Sequence, residues 1–111
     1  MIRYEVTLDV AGEGALATLD AELAERLETY MRWRHIPEIL ATGCFAEIRF
    51  ERSSPTRFRT SYRADSPADL DRYLAEHQAA MRADFAANFP EGVAATRETW
   101  VEVQTWERGD A

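Results

Sequence analysis

A two-layer α+β fold, with elements in the order β-α-β-β-α-β, is what the sequence predicts. Three observations carry the prediction. Apolar residues alternate with polar ones in four stretches, recur at helical spacing in two others, and are separated by turn-forming residues. At 111 residues, 46% of them apolar, the chain suits one domain with its own core, despite 30% charged residues.

The first strand is read from Ile2, Tyr4, Val6, Leu8 and Val10, alternating with Arg3, Glu5, Thr7 and Asp9. The AGEG stretch at 11–14 breaks it, because glycine tolerates turns that other residues resist. Leu16, Leu19, Leu23, Leu27, Tyr30 and Met31 then share one helical stripe. Pro37 is expected to kink or end this helix near His35 or Ile36, with a short extra turn over residues 38–40 before Gly43. In the second strand Cys44, Ala46, Ile48 and Phe50 form the apolar side, and Phe45, Glu47, Arg49 and Glu51 the other.

RSSP at 52–55 reads as a hairpin connection into a third strand, with Phe58, Thr60 and Tyr62 opposite Arg57, Arg59, Ser61 and Arg63. Ser66 caps the next helix, Pro67 suits its first position, and Asp69 completes a capping box. Leu70, Leu74, His77, Met81 and Phe85 form one stripe on that helix, which Pro90 and Gly92 stop. The last strand is expected over about residues 96–106; residues 1–107 make one domain and 108–111 a flexible tail. Two helices on one face of a four-stranded antiparallel sheet make the ferredoxin-like sandwich, and right-handed crossovers set the strand order 4-1-3-2.

The other sheet face combines Arg3, Glu5, Asp9, Glu47, Arg49, Arg57, Arg59 and Arg63 with Phe45. If Val101 and Val103 face the helices, Trp100 and Trp106 join it, although alternation does not fix the phase of this strand. The face is either solvated or a dimer interface, with Phe45, Trp100 and Trp106 as its aromatic contacts. The arginines are expected to be neutralised by neighbouring carboxylates.

Thirteen basic residues, all arginine, stand against twenty acidic ones, for a net charge of −7. This balance disfavours nucleic acid and anionic membranes as partners. No apolar run approaches the roughly 20 residues of a membrane helix, and MIRYEVTLDV alternates rather than forming a leader, so a cytoplasmic protein is expected. Cys44, the single cysteine, is expected to pack in the core. Neither a metal-ligand spacing nor a phosphate-binding loop is present in the sequence, and no cofactor is expected.

The stretches IRYEVTLDV, RWRHIPEILATGCFAEIRF, YLAEHQAAMRADFAANFP and RETWVEV resemble a small uncharacterised bacterial family over roughly residues 2–107. That family is similar to the dimeric α/β-barrel proteins built from ferredoxin-like subunits, which implies a homodimer. Relatives by fold include cofactor-independent monooxygenases, haem-degrading enzymes and ligand-binding domains, so the fold alone selects no chemistry. The resemblance matches His35 before the second strand and His77 ahead of MRAD, without assigning a role to either.

His35, at a helix end, suits either the unpaired carbonyls there or acid/base work in a pocket. His77, on an apolar stripe, suits a satisfied core position or a site. Tyr30, Trp33 and Trp100 are candidates to line a cavity for an aromatic or apolar small molecule. The expected function is thus a homodimer with a small-molecule pocket, any catalysis being cofactor-independent with His35 or His77 as acid or base. The rival is a non-enzymatic interaction or regulatory module.

Overall fold

A computed structural model describes residues 1–10 and 17–110. The glycine turn expected at 11–14, Leu16 and the side chain of Leu19 lie outside the described residues. The chain runs through β1 (Ile2–Val10), α1 (Ala17–Tyr30), a π-helical turn (Met31–His35), α2 (Ile36–Ala41), β2 (Glu47–Ser54), β3 (Arg57–Ala64), α3 (Pro67–Glu76), α4 (Gln78–Asn88) and β4 (Val93–Val101).

The sheet is antiparallel in the order β2-β3-β1-β4, which read from the other edge is β4-β1-β3-β2. Central β1 sets the register. Val6 lies opposite Thr60 on one side and Arg97 on the other, and Leu8 lies opposite Phe58 and Ala95. Residues directly opposite share a sheet face, so Val93, Ala95, Arg97, Thr99 and Val101 stand on the face of Tyr4, Val6 and Leu8. Trp100, opposite Arg3, stands on the other.

The helical layer covers the first of these faces with two clusters. One packs Ile2, Tyr4, Phe45, Tyr62, Leu70 and Tyr73; the other packs Leu8, Val10, Leu27, Met31, Phe58 and Phe89. Val6 touches both. The start of α3 follows from its sequence: Ser66 Oγ accepts from the Asp69 backbone N–H at 3.3 Å, and Pro67 opens the helix.

Four expectations are corrected. The barrel is not formed: β2 and β4 pair only with β3 and β1 respectively, leaving two edges of an open four-stranded sheet. Four strands are too few to curl round a filled interior by themselves. The last strand runs over Val93–Val101 rather than about residues 96–106. Of the two outcomes expected at Pro37, the helix is distorted and not ended: the chain widens into a π turn before it and continues through α2. The second helix is not continuous but breaks at His77, whose φ of −123° leaves the helical range. Finally, β2 opens at Glu47, and Cys44 and Phe45 before it are both buried rather than on opposite sheet faces.

Leu27 has no exposed surface and anchors α1 on the second cluster. Leu27→Ala is expected to destabilise the fold by about 2–5 kcal/mol, measured as the loss of unfolding free energy in urea.

Candidate functional site

Between α4 and the sheet lies a cavity of about 330 Å³. Tyr4, Val6, Leu8, Tyr62 and Arg97 floor it, Met81, Arg82, Phe85 and Phe89 roof it, and His35 and Tyr73 close its flanks. α4 spans this gap and buries none of its own residues. At its start, Gln78 Nε2 donates to the Tyr4 hydroxyl at 2.8 Å, tying roof to floor.

The π turn positions His35. In a regular α-helix residues five apart face different directions. Here the Ile36 backbone N–H bonds the Met31 carbonyl, five residues back, and the extra residue in the turn brings His35 round to Tyr30. Their rings lie 5.4 Å apart, and Phe85 meets both edge-on. Arg32, Trp33 and Arg34 between them turn to solvent.

A hydrogen-bonded chain leads from His35 to the surface. The Tyr30 hydroxyl donates to Asp84 Oδ2 at 2.6 Å, and Arg34 Nη2 donates to Asp84 Oδ1 at 2.7 Å. His35 Nδ1 stands 3.3 Å from the same Tyr30 oxygen. Since the single Tyr30 proton goes to Asp84, that oxygen is left to accept, and Nδ1 carries the imidazole proton. Nε2 then holds the lone pair, without a hydrogen-bond partner among the described residues.

Burial lowers the His35 pKa to about 4; the Arg97 charge acts the same way, and Asp84 opposes both. Burial also raises Tyr30, helped by its bond to Asp84, and lifts Tyr73 to about 12. The imidazole is therefore neutral near pH 7, among tyrosines that keep their protons.

The remaining candidates do not gather here. His77 sits between α3 and α4, its ring stacked on Tyr73 at 6.3 Å and its Nε2 3.9 Å from Glu76; it does not line the cavity. Tyr30 borders a neighbouring groove instead, although it touches His35. Trp33 is 74% exposed and faces away, its ring 5.7 Å from the Arg32 guanidinium. Trp100 is half exposed on the opposite sheet face, and Trp106 is exposed beyond β4. Phe45 leaves the interface set: it packs in the core against Tyr73 and Tyr62, at 4.9 and 5.2 Å.

Sequence reasoning missed Arg97, Asp84 and the floor tyrosines Tyr4 and Tyr62. Arg97 did leave a signal: it interrupts the alternation Val93, Ala95 at a position where an apolar residue belongs. On the open sheet face the arginines pair with carboxylates as expected: Arg57 with Asp9, Arg59 with Glu51 and Arg63 with Glu47. Among the described residues no group of three or more His, Cys, Asp or Glu is placed to hold a metal ion. None of the described helices is long and apolar enough to cross a membrane.

Three comparisons place the chain among known proteins. A family model described as a domain of unknown function, DUF4286, matches residues 1–103. No curated protein matches. A crystal structure from Deinococcus radiodurans, of a protein provisionally assigned as an antibiotic biosynthesis monooxygenase, superposes with a TM-score of 0.66. The match covers 96% of this chain and 97% of that one at 15% identity, and so shows a shared fold.

The buried imidazole sets a pH dependence. With a folded pKa of about 4 below the ordinary 6.5, the unfolded chain binds more protons between these values. His35 burial therefore costs nothing above about pH 6.5 and up to about 3 kcal/mol as the pH falls toward 4. Urea unfolding from pH 7 to 4 is expected to show this loss in the wild type and a flatter profile in His35→Asn; equal profiles would refute it.

Proposed function

The chain belongs to the DUF4286 family, and we propose that it binds a small, largely aromatic molecule beneath α4 and takes a proton from it at His35. The observation that carries this reading is the His35 imidazole on the wall of a cavity otherwise lined mainly by aromatic and aliphatic side chains, its Nδ1 3.3 Å from a Tyr30 hydroxyl that donates to Asp84. The volume of about 330 Å³ suits a ring system of two or three fused rings. The shared fold with a provisionally assigned monooxygenase supports a small molecule over a macromolecule as ligand.

In this reading Nε2 accepts a proton from an acidic O–H or C–H of the ligand, and the imidazolium donates through Nδ1 to the Tyr30 oxygen, backed by Asp84. A base with a pKa near 4 is weak toward water. The anion left on the ligand supplies a neighbouring opposite charge, which raises the imidazole where the proton must be held. The reaction asks for no metal or organic cofactor. His77, outside the cavity, has no part in it.

We also infer a homodimer. Its support is the run of exposed apolar residues Trp100, Val101, Val103 and Trp106 along and beyond the β4 edge. Light scattering is expected to give twice the chain mass for the wild type and the single mass for Trp100→Glu; a monomeric wild type would end this part of the proposal.

The probe for the cavity is 2-naphthol, whose ionised form absorbs at longer wavelength than its neutral form. Saturable binding is expected to move the NMR signals of Met81, Phe85 and His35 and to shift the absorbance of bound probe toward the ionised form. His35→Asn should keep the binding and lose the absorbance shift, while Phe85→Ala weakens binding about tenfold. Absence of saturable binding, or signals moving only outside the cavity, would overturn the reading.

A further inference from the structure

We propose that the ligand is an acid: an aromatic or apolar molecule carrying one carboxylate-type group, held between Arg82 and Arg97. This rests on the reading that the cavity beneath α4 is a ligand site.

The argument starts from charge pairing. In a chain of net charge −7, arginines readily find carboxylates, and Arg34, Arg49, Arg52, Arg57, Arg59, Arg63 and Arg72 each do so within 4 Å. Arg3, Arg26, Arg32, Arg82, Arg97 and Arg108 form no such pair among the described residues, and of these Arg82 and Arg97 line the cavity. The cavity lining contains no aspartate or glutamate. Its two formal charges are thus both positive, in a protein whose surface is acidic.

Position strengthens the case. Arg97 stands opposite Val6 on the sheet face covered by helices, a place where alternation calls for an apolar side chain. Its charge is felt at His35, Tyr62 and Tyr73, and that of Arg82 is felt at Tyr73. Two guanidinium-bearing residues from different elements, Arg82 of α4 and Arg97 of β4, thus line one cavity. A guanidinium presents a planar fork of N–H donors that fits a carboxylate through two parallel hydrogen bonds. Both arginines keep solvent contact at the mouth, so their charge is tolerated when the site is empty. Met81, Phe85 and Phe89 of the roof offer an apolar surface for the body of the ligand.

The ligand class follows: an anionic head at the arginines, an apolar body under α4, and the proton-yielding group near the imidazole. Phosphate diesters and free inorganic anions fit poorly, because the apolar part of the cavity would stay unfilled.

Titration with 2-naphthoate and its uncharged isostere 2-naphthamide tests this. The wild type is expected to bind naphthoate at least tenfold more tightly than naphthamide. Arg82→Gln and Arg97→Gln should each weaken naphthoate about tenfold and leave naphthamide unchanged. Arg97→Lys, which keeps the charge and loses the fork, should recover part of the loss. Equal or tighter binding of naphthamide by the wild type would overturn the acid while leaving the ligand site standing. If naphthoate, naphthamide and 2-naphthol all fail to bind, both readings fall together.

Discussion

Pro37 has no N–H to give to the carbonyl four residues back, and its ring crowds the turn before it. The first helix survives this by widening, so that Ile36 reaches back to Met31. That one exchange of hydrogen-bond partner governs the rest of the site. It turns His35 inward onto Tyr30, keeps Met31 in the core beside Leu27, and sends the intervening Arg32, Trp33 and Arg34 to the surface. Arg34 is then free to meet Asp84 across from α4, clamping the helical layer at the cavity's flank. Without the extra residue in the turn, Tyr30 and His35 would face different neighbours.

How far the sequence disclosed this varies with the range of the forces involved. The Ser66 cap was readable because the bond spans three residues and depends on nothing else. Strand alternation in β1 and β3 was readable because one face of each is pressed against helices. Phe45 departs from the alternation because β2 begins only at Glu47, and in the chain before it Cys44 and Phe45 are both buried. His35 was visible as a suspect, but its partner Asp84 lies in another helix and meets Tyr30 only through the π turn, which leaves no local sequence signature. A barrel is implied by the family resemblance and by no pattern in the residues; the sheet, with two unpaired edges, remains open.

The charge distribution follows a similar division. On the open sheet face arginine and carboxylate alternate closely enough to neutralise one another, in exposed pairs that add little stability. Inside, the fold spends one carboxylate, Asp84, on orienting a tyrosine and an arginine. The positive charges of Arg82 and Arg97 at the cavity have no such protein partner among the described residues. Acidic surface and basic mouth together guide a small anion to one place on the molecule.

α4 stands apart from its neighbours in having no residue of its own in the core. Its attachments are the Gln78–Tyr4 bond, the Asp84 clamp and the aromatic edges of Phe85. Met81 and Phe85 also pack against the clusters around Tyr62 and Phe58, and Phe89 at its end is buried in the second, so lifting this helix would uncover part of both. The roof is thereby held to the floor at both ends, by Gln78 at its start and Phe89 at its close, with the half-buried Met81 and Phe85 between them.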